Sequence, residues 1–501
     1  MIRDHSETNI YIIGAGIAGT MLAREIREKG IFGTVIAFLD DDTEKTGKTI
    51  DGIPVLGPLA QIAQLIRIGP KDEALIAIPS ASPQTLNTIY TILKTAGFVR
   101  IRLLPGIAQI LEGKAHLIQA RDINPQDLLG RAPVAISLKK SLAYLRGKRV
   151  LITGAGGSIG SELARQLLSG GAERIFLFGH GENSIYQIDR ELRLLQEGGV
   201  GEKAQIVPVI GELKDRDYMR YIIKQLKCDV VFHAAAYKHV PLMEENPVAV
   251  IENNVFGTAN LLDACIEARV KRFVLVSTDK AVDPVSIYGV SKMLCERLVL
   301  SAAQNVSAMS ASPASYMFVR FGNVLGSRGS ILPLFIDQIK KGGPVTVTDP
   351  SMVRYFMTIP EACSLVLKTG GVGVNGESYL LDMGEPVKII DVARQLIRFM
   401  GYEPGKDIPI QIIGSRPGER LDEPLWSHTN EEPVETEFPK ILKLVQKTQT
   451  DVQALNTLLS LLKPFFQADA FHAEMYRNKK QLIKTLCTHI STLREYYNER
   501  I

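Results

Sequence analysis

Residues 149–160 read RVLITGAGGSIG, and this stretch decides the fold. Arg149–Thr153 is a short apolar run of strand character. Gly154, Gly157 and Gly160 follow at GxxGxxG spacing, and Glu162–Leu168 opens a helical period. A strand that ends in a glycine turn and runs into a helix is half of a nucleotide-binding βαβ unit. The glycines let the backbone approach a pyrophosphate, which sits at the N-terminus of the following helix. Strand–helix alternation continues through Ile175–Phe178, Ile206–Ile210, Val230–His233, Phe273–Ser277 and Tyr316–Phe321. Short apolar strands separated by helical stretches predict a parallel sheet covered on both faces.

The pattern occurs once earlier in the chain. Ile10–Ile13 is an apolar run, Gly14, Gly16 and Gly19 form a GxGxxG turn, and Leu22, Ala23 and Ile26 follow at helical spacing. Val35–Leu39 ends at Asp40, where a ribose could be held. Ala74–Ile78 and Arg100–Leu104 complete the unit. The prediction is an α/β chain of two doubly wound, Rossmann-like domains, 1–135 and 136–439. The segment Ile123–Lys148, with Pro125, Gly130 and Pro133, links them. No catalytic constellation follows the first glycine turn. That unit either binds a second nucleotide through Gly14, Gly16, Gly19 and Asp40 or keeps only the fold.

In the last segment, 440–501, Leu455, Leu458, Leu459, Leu462, Phe465 and Phe466 recur at helical spacing. A helical tail is expected there, packed on its own domain or on a second subunit, and its apolar stripe suits a homo-oligomer. Its mixed polar face argues against a membrane-surface role. The chain has 501 residues, and 58 basic against 54 acidic side chains give a net charge of +4. That balance argues against a nucleic-acid partner. Cys228, Cys265, Cys295, Cys363 and Cys487 lack paired spacing, so reduced thiols and no metal are expected. No apolar run is long enough to span a bilayer, and Met1–Asn9 is polar. No membrane span or signal peptide is expected, and the cytoplasm is the expected location.

The chemistry-bearing residues follow the strand Phe273–Ser277. It runs into Thr278, Asp279 and Lys280, and Tyr288 and Lys292 come next, four apart. On a helix that pair shares one face, and an ammonium beside a phenol favours the phenolate. Tyr288 as general base, with Thr278 on the same substrate oxygen and a nicotinamide as acceptor, suits hydride chemistry at a carbinol carbon. Asp279 and Lys280 are more than alcohol oxidation needs. They are either an acid–base pair or an ion pair capping the strand end. Gly179 stands after the second strand, where a carboxylate would repel a 2′-phosphate, so NAD and NADP are both open.

The stretches TGAGGSIGSELARQL, HAAAYKHVPLMEENP, NNVFGT, STDKAV, RFGNVLGSRGSILPLF, VRYFMTIPEA, LDMGEPVKI and RPGER occur in this order. Over about residues 125–440 the chain resembles the nucleotide-sugar 4,6-dehydratases of bacterial capsular polysaccharide biosynthesis, which are extended short-chain dehydrogenases with a smaller substrate lobe. The first unit resembles the extra nucleotide-binding domain of the long members. The resemblance implies UDP-N-acetylglucosamine or a close relative as substrate. It also implies a tightly bound NAD or NADP, regenerated in each cycle. The cofactor would lie on Gly154, Gly157, Ser158, Ile159, Gly160, Ala234, Ala235, Asn254, Tyr288 and Lys292.

By the same resemblance, Thr278 and Tyr288 would serve oxidation at C4, Asp279 protonate the 6-hydroxyl, and Lys280 deprotonate C5. Lys238, Asn323 and Arg328 would lie along the substrate, and Arg354, Arg416 and Glu419 near the pyrophosphate and uridine. The implied product is a 4-keto-6-deoxy sugar nucleotide. A nucleotide-sugar 4-epimerase shares every part except the Asp279–Lys280 pair, and a non-catalytic nucleotide-binding regulator would need neither Tyr288 nor Lys292. Long members usually carry transmembrane helices ahead of the first domain, and many have Met in place of Tyr288. This chain departs from both, which leaves the stereochemistry at C5 open.

Overall fold

The computed structural model describes residues 8–29, 33–78, 81, 83–104, 121–122, 142–201, 203–309, 314–467 and 472–498. Most of the expected linker Ile123–Lys148 lies outside the described residues. Its end, Leu142–Lys148, holds a short 3-10 turn at Ala143–Leu145. The chain divides into two compact units, Met1–Ser137 and Leu138–Ile501.

The first unit is a seven-stranded sheet. Its strands are β1 (Asn9–Ile13), β2 (Thr34–Leu39), β3 (Thr49–Ile50), β4 (Ile53–Leu56), β5 (Asp72–Ile76), β6 (Arg100–Leu103) and β7 (Arg121–Asp122). The order is β3-β4-β2-β1-β5-β6-β7, with antiparallel partners only at the two edges. Alternation along β1 feeds two cores. Ile10 and Ile12 join Leu22, Ile26 and Phe38 on one face, and Tyr11 and Ile13 join Leu93 and Phe98 on the other. That double burial is why the strand reads as an unbroken apolar run.

The second unit carries a nine-stranded sheet. Its strands are β8 (Arg149–Thr153), β9 (Arg174–Gly179), β10 (Gln205–Ile210), β11 (Val230–His233), β12 (Arg272–Val276), β13 (Ser315–Arg320), β18 (Ser378–Leu381), β21 (Glu431–Glu435) and β22 (Ile441–Gln446). The order is β10-β9-β8-β11-β12-β13-β18-β22-β21. The first seven are parallel, and the sheet order reverses between β8 and β11. Ligands of such sheets collect at the carboxyl ends of strands near that reversal. The smaller lobe is built on three two-stranded pairs. These are β14 (Asn323–Val324) with β17 (Phe356–Met357), β15 (Val345–Val347) with β20 (Ile410–Ile412), and β16 (Val353–Arg354) with β19 (Val387–Lys388).

The segment 440–501 is not helical from its start. Ile441–Gln446 is β22, antiparallel to β18 and β21, and the helices begin at Val452. Helices Val452–Leu462, Lys479–His489 and Ser491–Asn498 then pack on their own domain. Leu455, Leu458, Leu462, Phe465, Leu482, Leu486 and Leu493 share one core with Val240, Val250, Ile251, Ile287 and Leu294. The apolar stripe is therefore used within the chain. Among the described residues no helix is long and apolar enough to cross a membrane.

Candidate active site

The glycine turn of the second unit has the form a pyrophosphate needs. Gly154 has φ +68°, and a Cβ there would stand 2.7 Å from Ala235 backbone atoms. A Cβ on Gly160 would lie 2.2 Å from the Gly154 carbonyl oxygen. Neither position admits a side chain, because the turn folds back on itself and against the Ala234–Ala235 loop. The Gly157 N–H donates to Gly154 O at 2.8 Å and closes the turn. The helix Ser158–Ser169 starts there, with no side chain capping its first N–H groups. Beside it lies a cavity of about 290 Å³ whose wall includes Gly154, Gly157, Gly179, Ala234, Ala235 and Arg328. The backbone cradle, the uncapped helix start and the cavity fit a dinucleotide.

Other predicted cofactor residues are placed less uniformly. Ser158 Oγ accepts from the Arg328 N–H at 3.1 Å, and Ile159 lies in the first turn of the helix. Asn254 does not line the cavity; its neighbour Asn253 does. Asn254 sits in a π-helical turn, Ile251–Phe256, and its amide is used within the protein. It accepts from the Tyr237 N–H at 2.9 Å and donates to Tyr237 O and Ser291 Oγ, each at 3.0 Å. It thereby ties the loop after β11 to the helix Ile287–Met309, which carries Tyr288 and Lys292.

The catalytic candidates do converge. Past the carboxyl end of β12, Thr278 caps a short 3-10 turn, Asp279–Ala281, that carries Asp279 and Lys280. Thr278 Oγ1 donates to Asp279 Oδ1 at 2.8 Å, and Lys280 Nζ reaches the same oxygen at 2.9 Å. Lys280 Nζ also donates to Asn323 Oδ1 at 3.3 Å and lies 3.9 Å from Glu423 Oε1. Asp279 is fully buried, and its second oxygen, Oδ2, has no hydrogen-bond partner. A buried carboxylate oxygen left unpaired is costly unless a ligand is to meet it. Burial opposes the charge on Lys280, but Asp279 and Glu423 raise its pKa above the ordinary lysine value. Lys280 is thus an ammonium, held 2.9 Å from Asp279 Oδ1.

The expected lowering of the Tyr288 pKa is overturned. Burial first, and then the Asp279 charge, raise it above the ordinary phenol value, although a hydrogen bond with Thr278 opposes the rise. The Lys292 ammonium donates to Val276 O at 2.8 Å, and burial lowers its own pKa.

The outer substrate candidates divide. Lys238 Nζ donates to the backbone O of Arg328 at 2.7 Å, and Arg328 lines the cavity. Burial and the Arg328 charge lower the Lys238 pKa. Arg354 was expected near a pyrophosphate, but its guanidinium is spent inside the protein. It donates to Val353 O at 2.7 Å, Leu421 O at 3.0 Å and Arg420 O at 2.7 Å, with Glu423 at 3.7 Å. Arg416 and Glu419 form a local pair at 2.7 Å within one turn, where Arg416 is about half exposed. Glu423 escaped the sequence reading. It lies just past RPGER, but nothing in its spacing connects it with Lys280. Burial raises its pKa, and the nearby Lys280 charge opposes this.

In the first unit, Gly14 has φ +101°, and a Cβ on Gly19 would lie 2.0 Å from Gly14 O. Asp40 does not stand free for a ribose. Its carboxylate accepts from the Ala15 N–H at 2.7 Å and the Asp42 N–H at 2.9 Å.

Residues 150–446 match the model of a family described as polysaccharide biosynthesis protein, and residues 2–105 match that of a CoA-binding domain. The capsular polysaccharide biosynthesis protein CapD of Staphylococcus aureus is 42% identical, over 83% of this chain and 68% of its own length. A UDP-N-acetylglucosamine 4,6-dehydratase (inverting) of Campylobacter jejuni is 29% identical, over 67% of this chain and 96% of its own. A UDP-glucose 4-epimerase of Rickettsia rickettsii is 34% identical, over 56% of this chain and 78% of its own. Among solved structures, Pen from Bacillus thuringiensis aligns with TM-score 0.54 and 31% identity, covering 61% of this chain and 90% of that one. The chain is similar to nucleotide-sugar dehydratases and epimerases alike.

Proposed function

This chain belongs to the polysaccharide biosynthesis protein family, and on that premise we propose that it is a nucleotide-sugar 4,6-dehydratase acting on a UDP-hexose, UDP-N-acetylglucosamine first among them. The observation that carries the reading is the contact of half-buried Lys280 with buried Asp279 beside Thr278, with Asp279 Oδ2 unpartnered. An epimerase needs no acid and base of this kind.

The Gly154–Gly160 turn would hold NAD or NADP, which when bound would supply reversible hydride transfer with the sugar. Tyr288 carries the proton of the 4-hydroxyl, with Thr278 on the same oxygen. The 4-ketone makes the C5 proton acidic. Lys280 must be neutral to remove it, and Asp279 must be protonated to release the 6-hydroxyl as water. A proton passing from Nζ to Oδ1 across their 2.9 Å contact supplies both states at once. Proton abstraction at C5 and donation at the 6-oxygen then restore the resting ion pair.

The test is incubation with UDP-N-acetylglucosamine in heavy water. Product lighter by one water, with deuterium at C5, is expected. Asp279→Asn should lower water loss by roughly 100-fold or more while C4 oxidation persists. C4 inversion without water loss, or elimination at an unaltered rate in the variant, would overturn the proposal.

A further inference from the structure

We infer that the C-terminal helix Ser491–Asn498 positions the reacting loops, Tyr497 acting through Glu244 on the start of the catalytic helix and Tyr496 acting on the turn Arg416–Arg420. The inference rests on the dehydratase reading for what reacts, but not for the contacts themselves.

Tyr497 Oη donates to Glu244 Oε2 at 2.5 Å, and Glu244 Oε1 accepts from the Ile287 N–H at 2.7 Å. Ile287 begins the helix and directly precedes Tyr288. Tyr496 Oη accepts from the Gly418 N–H at 2.7 Å. In that same turn Arg420 donates to Val282 O at 3.3 Å and Asp283 O at 2.5 Å. Thr492 Oγ1 donates to Pro284 O at 2.9 Å. The loop Val282–Pro284 joins Lys280 to the Tyr288 helix, so the tail helix holds this loop both directly and through Arg420. Arg420 O also accepts from Arg354, whose other neighbour, Glu423, lies beside Lys280.

Packing alone would not select these groups. Leu493, Leu486 and Leu482 are fully buried and anchor the tail without polar help. Glu244 is a carboxylate kept 9% exposed, which is costly unless it is hydrogen-bonded. Its two oxygens are divided between the catalytic helix and the tail. Gly418 is held against it, since a Cβ there would come within 3.2 Å of Oε1. The two tyrosines therefore grip adjacent points, one toward the chemistry and one toward the RPGER turn.

Tyr497→Phe and Tyr496→Phe keep the rings and delete only the hydroxyls. With the full chain, Tyr497→Phe should lower kcat roughly tenfold with KM within about twofold. Tyr496→Phe should raise KM for UDP-N-acetylglucosamine roughly fivefold with kcat nearly unchanged. A merely structural role would lower Tm and leave both constants intact below the transition. Amide hydrogen exchange supplies a second readout that needs no turnover. Exchange should quicken within 281–292 for Tyr497→Phe and within 415–421 for Tyr496→Phe, and not across the whole unit. If the wild-type chain turns over no UDP-hexose, the dehydratase reading falls and exchange alone decides the positioning. Kinetic constants within about twofold of wild type in an active enzyme, or exchange that is unaltered or uniformly faster, would overturn it.

Discussion

His233, the last residue of β11, shows how one side chain couples fold to pH. Its Nδ1 lies 2.6 Å from Thr153 Oγ1 and its Nε2 2.8 Å from Thr258 Oγ1. Burial, with the Lys292 charge second, pushes its pKa down to about 3. An unfolded chain protonates histidine near about 6.5, so the folded state binds the proton less readily. The stability this residue contributes is whole above that pH and is lost as pH falls through the window toward 3. By pH 4.5 the loss from this group is about 2–3 kcal/mol. Urea unfolding of wild type and His233→Gln at pH 7 and 4.5 checks this. The variant should be less stable at pH 7 and show a flatter pH dependence, and equal slopes would refute the assignment. In sequence His233 reads only as the end of a strand. The glycines and the Tyr288–Lys292 pair are legible because backbone geometry and helical spacing are local. The carbonyl that Lys292 meets, and the burial and Asp279 charge that raise the pKa of Tyr288, depend on which strand end lies above the helix.

Between elements, Arg320 on β13 makes an extensive polar commitment. It is buried and donates to Glu296 at 2.8 and 3.1 Å and to Glu431 at 2.8 and 3.1 Å. Those contacts join β13 to the helix Ile287–Met309 and to Glu431 at the start of β21. Ser277 Oγ donates to Glu296 at 2.6 Å and brings in the strand end that precedes Thr278. Removing the cation from such a network leaves two buried carboxylates uncompensated. Arg320→Met should therefore cost about 3–5 kcal/mol, read as a lower urea midpoint with an unchanged slope. A loss below about 1 kcal/mol would show that the carboxylates find other partners. The parallel strands of both sheets are legible because burial on two faces demands apolar runs. β21 is not, because Glu431–Glu435 has too few apolar residues to announce itself and is ordered by pairing with β22. The same blindness put the tail's helices at residue 440.

At the scale of the molecule, the tail of the second unit shares one core with the helices that carry Val240, Ile251 and Ile287. Leu482 has no solvent contact and lies in the core formed with Val240, Ile251 and Ile287. Leu482→Ala should cost about 2–5 kcal/mol through lost burial and the cavity left behind, measured by denaturant unfolding. A cost under about 1 kcal/mol would mean that the tail packs loosely. The amino-acid sequence by itself determined two glycine-turn α/β units, the Thr278–Asp279–Lys280 and Tyr288–Lys292 constellation, and an apolar helical end. Those features follow from periodicity and from backbone sterics acting over a few residues. Only the tertiary structure decided that Arg354 is spent on Glu423 and backbone carbonyls, that Asn254 braces the helix Ile287–Met309, and that the tail reaches the loop Val282–Pro284 and the turn Arg416–Arg420. Each of those depends on which distant group comes within hydrogen-bond reach once the chain is closed, and no local spacing rule encodes that distance.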